Sequence, residues 1–194
     1  MIDVEKPVWL LDVDGVVNTI KPGWGAAPDK SLVWSAADNT SYLLRWSPLL
    51  VDRIRTLHTG GKVEVRWCTT WCPEAERLER LWRLPELTRS LDADPMPRGA
   101  ECWPLKLAAA WAVLAEGRRL IWTDDEAVPP PGPDRDDLAV DGRALLIAPR
   151  ANRGLQPADL DLIEKFAAGR RLPTHRVAGR HRHPEDLPPT ARAD

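Results

Sequence analysis

Two apolar segments of this sequence each end in a pair of aspartates. Asp12 and Asp14 follow the first segment, and Asp124 and Asp125 follow the second. Carboxylates can bind Mg²⁺ through their oxygens, attack an electrophile, or pass a proton. Taken alone, an Asp-Val-Asp turn is more often a surface turn with solvated side chains. The aspartates therefore predict a site only in combination with other groups.

Hydroxyl and ammonium groups lie between the two acidic pairs. Thr69 and Thr70 follow a β-branched segment, and Lys106 stands near the start of an apolar helical pattern. A hydroxyl can donate to a phosphoryl oxygen, and a lysine can balance the charge of a carboxylate and a phosphate. The structural alternatives are a threonine that caps the next helix and a solvated lysine. Together with the aspartates, these residues supply the groups that phosphate-ester hydrolysis needs.

Strands and helices alternate along the sequence, and this alternation decides where the polar groups lie. Strand-like runs cover residues 8–13, 62–68, 87–91, 118–122 and 143–148, and helical patterns begin at residues 47, 73, 104 and 157. The spacing predicts an α/β fold with three layers, in which a doubly wound parallel sheet lies between helices. Such sheets bind ligands at the carboxyl ends of their strands. The aspartates and Thr69 follow predicted strands, so we expect them to meet there.

One segment interrupts this alternation after the first strand. Residues 19–46 are rich in Gly, Pro, Asp, Asn and Ser and contain two brief strand-like pieces, which we interpret as a β-hairpin flap. Trp34 and Trp46 flank its polar stretch, and either could stack on a base or sugar of a substrate. Packing in the core is the alternative for a tryptophan. The sequence thus predicts a small flap with two candidate substrate-binding residues.

Charge and composition limit the possible partners. The net charge of −2 argues against nucleic-acid binding through the overall field of the protein. Residues 170–194 are basic and dominated by Pro, Gly and Arg, which predicts a disordered tail that could contact phosphates. We therefore expect one domain over residues 1–169 followed by this tail.

Cysteine usage and hydropathy bear on the compartment. No apolar run reaches the roughly 18 residues that a membrane span needs, and no export signal is visible. Cys68, Cys72 and Cys102 have no spacing typical of a disulfide framework, and with His58 they fit no common zinc pattern. We expect a cytoplasmic protein with reduced thiols and no membrane partner.

Four pieces of the sequence, in this order, resemble the four motifs of the haloacid dehalogenase (HAD) superfamily. They are residues 9–18, residues 65–71, Lys106 and residues 120–125. The aspartate motifs are the specific part of this resemblance, which spans roughly residues 8–168. Asp-Val-Asp-Gly-Val-Val-Asn, Trp-Cys-Thr-Thr-Trp and Trp-Thr-Asp-Asp-Glu are similar to the motifs of a small actinobacterial-type subgroup. That subgroup is named for HAD domains associated with RNA-repair proteins.

The resemblance implies a phosphatase with an aspartyl-phosphate intermediate. Asp12 would attack phosphorus, while Asp14 would protonate the leaving alcohol and later deprotonate the hydrolytic water. Family members that break carbon–halogen bonds lack the second acid, so Asp14 points to phosphoryl transfer. Thr69 or Thr70 would donate to the phosphate, with Gly15 as a further substrate-binding residue. Lys106 would balance the negative charge.

The resemblance also implies Mg²⁺ as cofactor, because a carboxylate attacks a dianionic phosphate only when the charge is screened. The implied ligands are the Asp12 carboxylate, the Asp14 main-chain carbonyl and Asp125. Asp124 would either bind the ion directly or orient its water ligands. The sequence alone does not separate these two roles.

The intervals between the motifs have no room for a large cap domain, which predicts an open site. An open site admits a macromolecular end, such as a nucleic-acid 3′-phosphate, or a phosphoprotein. A small metabolite would require that oligomerisation close the site, and the oligomeric state stays open. The alternative function is a non-catalytic phosphate- or nucleic-acid-binding module, against which the intact set of acids argues.

Overall fold

The structure is a computed structural model that describes residues 5–169, so the basic segment 170–194 lies outside the described residues. Within residues 5–169 the strands are β1 (Val8–Leu11), β2 (Asp29–Ser35), β3 (Thr40–Trp46), β4 (Glu64–Trp67), β5 (Thr88–Arg89), β6 (Leu120–Thr123) and β7 (Ala144–Ile147). The α-helices in the same range are α1 (Pro48–Thr59), α2 (Ala75–Trp82), α3 (Trp103–Ala115), α4 (Pro133–Leu138) and α5 (Pro157–Ala167).

Five strands form a parallel sheet in the order β5-β4-β1-β6-β7. The two apolar strands β1 and β6 lie in its interior, and every residue of both is buried. Continuous apolar runs are typical of parallel strands that are covered on both faces. The predicted α/β fold with a parallel sheet flanked by helices is therefore confirmed.

The strand order reverses direction at β1. The chain passes from β1 to β4 on one side and later crosses to β6 on the other side. Because crossovers between parallel strands are right-handed, α1 and α3 lie on opposite faces of the sheet. Helix α5 lies beside α1, where Arg53 pairs with Asp161 at 2.9 Å and with Glu164 at 2.6 Å. A reversal of this kind opens a crevice at the carboxyl ends of the central strands.

Tryptophans fill much of the core. Trp9, Trp67 and Trp122 are fully buried, as their strand-like surroundings predict. Two of them also satisfy their indole N–H groups: Trp9 donates to Thr123 Oγ1 at 2.9 Å, and Trp67 donates to Glu79 Oε1 at 3.0 Å. Large aromatic side chains with paired polar groups stabilise a core without leaving a desolvated donor. Trp9 and Trp67 therefore support the sheet rather than a ligand.

The predicted flap is an antiparallel hairpin of β2 and β3, with Asp29 opposite Trp46 and Ser35 opposite Thr40. Its tip is fixed to the segment before α2, because Glu74 accepts hydrogen bonds from Ser35 Oγ and from the Ala36 amide, both at 2.7 Å. The tip is thus anchored to the main domain by a buried hydroxyl and a backbone donor.

Two details of the helices differ from the sequence-based expectation. Residues 133–138 form α4, which follows a proline-rich loop and was not predicted because its only buried residue is Leu138. A single buried side chain leaves no apolar stripe to recognise. Helix α2 begins two residues after Pro73, since the intervening residues form a 3₁₀ turn.

Candidate active site

The two aspartate segments meet at the carboxyl edge of the sheet. Asp12 follows β1 and Asp124 follows β6, and the residues before them, Leu11 and Thr123, are paired across the two strands. The Asp12 amide donates to the Thr123 carbonyl oxygen at 3.1 Å. Parallel register therefore places two buried carboxylates side by side at the reversal of the strand order.

Lys106 reaches this pair from the first turn of α3. Its Nζ lies 3.1 Å from Asp12 Oδ2 and 2.6 Å from Asp124 Oδ2, and the side chain is buried. Pro104 in the first turn of the helix has no amide hydrogen to satisfy, so the start of α3 can lie against the site. The structure thus joins the predicted lysine to both carboxylates.

One ammonium group shared by two carboxylates leaves a net negative charge in a buried place. Burial raises the pKa of Asp12 to about 8, opposed by the charge of Lys106 and reinforced by that of Asp124. Burial alone would lower the pKa of Lys106, but Asp12 and Asp124 outweigh this effect and raise it. The lysine is therefore a permanent cation, and once Asp12 is ionised the surplus negative charge favours a second cation nearby.

Asp125 completes a cluster that can hold such a cation. One carboxylate oxygen each from Asp12, Asp124 and Asp125 lie within 4.8 Å of one another. An all-oxygen donor set fits Mg²⁺ or another hard cation better than a soft metal. Burial, reinforced by the charge of Asp124, raises the pKa of the half-buried Asp125 to about 6. The residues present therefore fit the predicted magnesium site.

The oxygens of Asp124 already accept several hydrogen bonds. Oδ1 accepts from the amides of Glu126 at 3.0 Å and Ala127 at 2.6 Å, and Oδ2 accepts from Lys106. These donors fix the loop after β6 around Asp124. Asp125 is more accessible, which supports Asp125 as the direct ligand and Asp124 as the residue that orders the loop.

Gly15 lies directly against Asp125. Its backbone is left-handed, with φ of +71°, and a Cβ atom at this position would overlap the Asp125 carboxylate. Glycine is the residue that tolerates both requirements. The turn that contains Gly15 is closed by the amides of Val16, Val17 and Asn18, which all donate to the Val13 carbonyl oxygen. Gly15 therefore brings two loops together, and its predicted contact with substrate stays a prediction.

Asp14 is exposed, and its carboxylate is held by two side-chain donors. Asn18 Nδ2 lies 2.6 Å from Oδ1, and Trp71 Nε1 lies 2.9 Å from Oδ2. The sequence interpretation did not assign a function to either donor. The signals were an asparagine four residues after Asp14 and a tryptophan two residues after Thr69.

The two threonines differ in exposure. Thr69 is buried, and its Oγ1 accepts a hydrogen bond from the Trp71 amide at 3.4 Å, whereas Thr70 is half-buried. This contact lies in the loop before the next helix and is not the capping interaction that was weighed against a role in phosphate binding, because neither the 3₁₀ turn nor α2 has a side-chain cap. Because the oxygen accepts in this contact, the hydroxyl hydrogen of Thr69 stays available as a donor. Both threonines remain candidates.

Contrary to the expectation from the sequence, neither flap tryptophan faces the site. Trp46 is buried and packs on Trp82 with 6.1 Å between ring centroids, so it is not available to stack on a substrate. Trp34 is 45% exposed and follows Val33, whose directly paired residue across the hairpin is Tyr42. Paired residues share a face, and consecutive residues point to opposite faces. Since the Tyr42 ring contacts Trp71 beside Asp14, Trp34 points to the opposite face of the hairpin.

The cysteines take no part in a metal cluster among the described residues. Cys68, Cys72 and Cys102 are free and buried. Burial raises the pKa of all three thiols, so they are protonated at neutral pH. A protonated thiol is a poor zinc ligand.

Comparisons with known proteins give no family for this chain: no protein-family model matches it, and no curated protein matches it. No helix in residues 5–169 has the length and apolar character that crossing a membrane requires.

Proposed function

We propose that this protein is a Mg²⁺-dependent phosphatase with an HAD-like fold, in which Asp12 becomes transiently phosphorylated. The observation that carries the proposal is the meeting of Asp12, Lys106, Asp124 and Asp125 at the point where the strand order reverses. A carboxylate, a permanent cation and an all-oxygen cation site are the groups that phosphoryl transfer to an aspartate requires.

Asp12 is the nucleophile in this proposal. Hydrogen bonds occupy both oxygens of Asp124, whereas Lys106 binds Asp12 through Oδ2. An Asp12 oxygen forms a bond to phosphorus while the bond from phosphorus to the alcohol oxygen breaks. Water then attacks the phosphorus of the aspartyl-phosphate, which releases inorganic phosphate and regenerates the Asp12 carboxylate.

Asp14 moves the protons in both steps. As an acid it gives a proton to the leaving alcohol oxygen, and as a base it takes one from the attacking water. Its exposure supports this role, because the group must reach both the alcohol and the solvent. The donors Asn18 and Trp71 fix its direction. Proton transfer therefore balances over the cycle without a further group.

Negative charge must be compensated for a carboxylate to approach a phosphate. Lys106 supplies one positive charge, which its ion pairs with Asp12 and Asp124 hold in place. Asp12, Asp125 and the Asp14 main-chain carbonyl would hold Mg²⁺, which when bound neutralises charge on the phosphoryl oxygens. Thr69 or Thr70 would donate a hydroxyl to the same oxygens.

We propose that the substrate is a phosphorylated group on a large molecule, and the candidate is a nucleic-acid end. Between β1 and β4, the described chain has a hairpin and α1 in place of a cap domain. The interval from β4 to α3 holds one eight-residue α-helix, the two-residue strand β5, short 3₁₀ turns and loops. An open edge of the sheet supports access by a bulky substrate.

The direct test is turnover of aryl and alkyl phosphates by the purified full chain, with Mg²⁺ and with a chelator. Phosphate release that requires Mg²⁺ is the expected result. Asp12→Asn should abolish it, whereas Asp137→Asn, the same change at an exposed position of α4, should not. Phosphate binding without turnover would overturn the enzyme proposal in favour of a binding module.

A further inference from the structure

We infer that Trp71 is a positioning residue for the proton donor Asp14, an inference that rests on the proposed phosphatase activity. Trp71 is 7% exposed, yet its only polar side-chain atom, Nε1, donates to the exposed Asp14 carboxylate at 2.9 Å. A buried indole is thus fixed with its donor directed at a surface carboxylate. Core packing alone does not require this direction.

The Asp14 carboxylate is held at both oxygens by donors from different segments. Trp71, in the segment after β4, binds Oδ2, and Asn18, at the end of the turn after β1, binds Oδ1 at 2.6 Å. Asn18 is itself fixed, since its Oδ1 accepts from the Arg45 amide at 2.8 Å. One donor would leave the carboxylate free to rotate about its terminal bond, but two donors in a fork define its plane. Asp14 is therefore oriented although it lies in solvent.

The orientation of Trp71 is also defined by its surroundings. The ring of Tyr42 in the flap meets it edge-on, with 5.6 Å between centroids and 78° between planes. Its amide donates to Thr69 Oγ1 at 3.4 Å, and its carbonyl accepts from the Glu74 amide at 2.9 Å. The indole is thus held between the flap and the loop after β4, so its donor has a fixed place.

Trp71 acts through Asp14 and not on the substrate. An indole N–H does not transfer its proton at physiological pH, so Trp71 can affect proton transfer only by orienting the acid. Its loss should therefore matter most where proton donation limits the rate. Alkyl phosphates have poor leaving groups that need the acid, whereas aryl phosphates leave with little help.

The experiment compares Trp71→Phe with Trp82→Phe in the full chain with Mg²⁺. Both substitutions remove a buried indole N–H, but Trp82 Nε1 has no hydrogen-bond partner among residues 5–169. Trp71→Phe should lower kcat for an alkyl phosphate about tenfold and for an aryl phosphate by less than about twofold, since the acid is retained but misoriented. Trp82→Phe should change the two values by equal factors. Equal losses on both esters with Trp71→Phe would overturn the inference.

A double-mutant cycle separates positioning from a structural effect. If Trp71 acts through Asp14, then Trp71→Phe should cause no further loss of kcat on the alkyl ester in an Asp14→Asn background. A structural role would produce the same loss in both backgrounds and would overturn the inference.

A spectroscopic measurement tests the contact without activity and without any change at Trp71. The ¹⁵N–¹H resonance of the Trp71 indole should move in Asp14→Asn, while that of Trp24, which donates to the Leu155 carbonyl oxygen at 2.8 Å, should not. If the Trp71 resonance does not move in Asp14→Asn, the inference about Trp71 is overturned but the proposed function is not. If the resonance moves in Asp14→Asn but the wild-type chain hydrolyses no phosphate ester, the proposed function is overturned, and the role of Trp71 with it.

Discussion

The Nζ atom of Lys106 lies 3.1 Å from Asp12 and 2.6 Å from Asp124, so one buried ammonium group serves two buried carboxylates. Neither carboxylate can be fully neutralised by a lysine that is shared. With both carboxylates ionised, the arrangement is costly for folding because it leaves negative charge away from water. The same surplus charge is what attracts a cation to the oxygens of Asp12 and Asp125.

Removal of the shared lysine should destabilise the fold. Lys106→Met leaves Asp12 and Asp124 buried without a counter-charge, which should lower the free energy of unfolding by about 3–5 kcal/mol without metal. Urea unfolding measures this loss. Mg²⁺ at millimolar concentration should restore part of it, because the ion supplies the missing charge. Lys30→Met, at an exposed position of the flap, should leave the unfolding midpoint within error of the wild type.

Asp12→Asn should abolish activity without lowering the stability of the fold. The amide removes the charge that burial disfavours, and it leaves Lys106 paired with Asp124. We expect a thermal midpoint without metal that equals or exceeds that of the wild type, together with loss of phosphate release. A variant that is strongly destabilised, or that keeps most of its activity, would argue against this assignment of Asp12.

The raised pKa values predict how Mg²⁺ binding depends on pH. The pKa of Asp12 is raised from 3.8 to about 8 and that of Asp125 from 3.8 to about 6. Protons therefore compete with the cation below pH 8, and the rise in thermal midpoint caused by Mg²⁺ should be small at pH 5.5 and largest above pH 8.

The stability of the metal-free protein should also depend on pH, through the raised pKa of Asp12. Between the ordinary and the raised pKa of Asp12, the folded state binds more protons than the unfolded state, so stability falls as pH rises from about 4 to about 8. Calorimetry across this range measures the slope. Asp12→Asn should flatten it, and an unchanged slope would contradict the raised pKa of Asp12.

Much of the site was accessible from the sequence because strands place residues by simple rules. Asp12 and Asp124 follow apolar runs that are buried on both faces, and parallel register brings the ends of such runs to one edge of the sheet. Lys106 was predicted from the resemblance to the ordered motifs, because a lysine on a helix does not by itself indicate a site. The α/β fold was predictable for the same reason, although α4 has too little apolar pattern to be recognised.

The sequence did not predict contacts that depend on the path of a loop, or on which face of the flap a side chain occupies. The contact of Trp71 with Asp14 joins residues 57 positions apart, and no local pattern predicts it. Trp46 was a candidate for stacking on a substrate, but hairpin register turns it inward onto Trp82. A polar segment can still bury one of its two faces, and composition does not report which face that is.

The anchor of the flap should depend on Glu74. Its carboxylate accepts hydrogen bonds from Ser35 and from the Ala36 amide, and these bonds lower the pKa of Glu74 against the opposing effect of burial. Glu74→Gln replaces one acceptor oxygen by a donor, so amide exchange in residues 35–42 should increase about tenfold, as expected for loss of a charge-assisted hydrogen bond. Hydrogen–deuterium exchange measures this change. Glu76→Gln, at an exposed position of α2, should leave exchange in the flap unaltered.

A phosphorylated nucleic-acid end should be a better substrate than a free sugar phosphate. The reasons are the open edge of the sheet and a basic segment, residues 170–194, that could follow a phosphate backbone. Neither flap tryptophan supports this expectation, because Trp46 is buried and Trp34 points to the face of the hairpin opposite Tyr42. Initial rates on a 3′-phosphorylated oligonucleotide and on a sugar phosphate, at equal Mg²⁺ and low salt, give the comparison.

Deletion of residues 170–194 tests the contribution of the basic segment separately from that of the site. Helix α5 ends at Ala167, so the deletion leaves every described element of the fold intact. Fewer phosphate contacts release fewer counterions, and the truncated chain should therefore bind an oligonucleotide more weakly and with a shallower dependence on salt. Turnover of a small aryl phosphate should stay the same, because Asp12, Asp14 and Lys106 are unaffected. An unaltered salt slope, or a wide preference of the full chain for the sugar phosphate, would exclude the nucleic-acid end and leave only a general phosphatase.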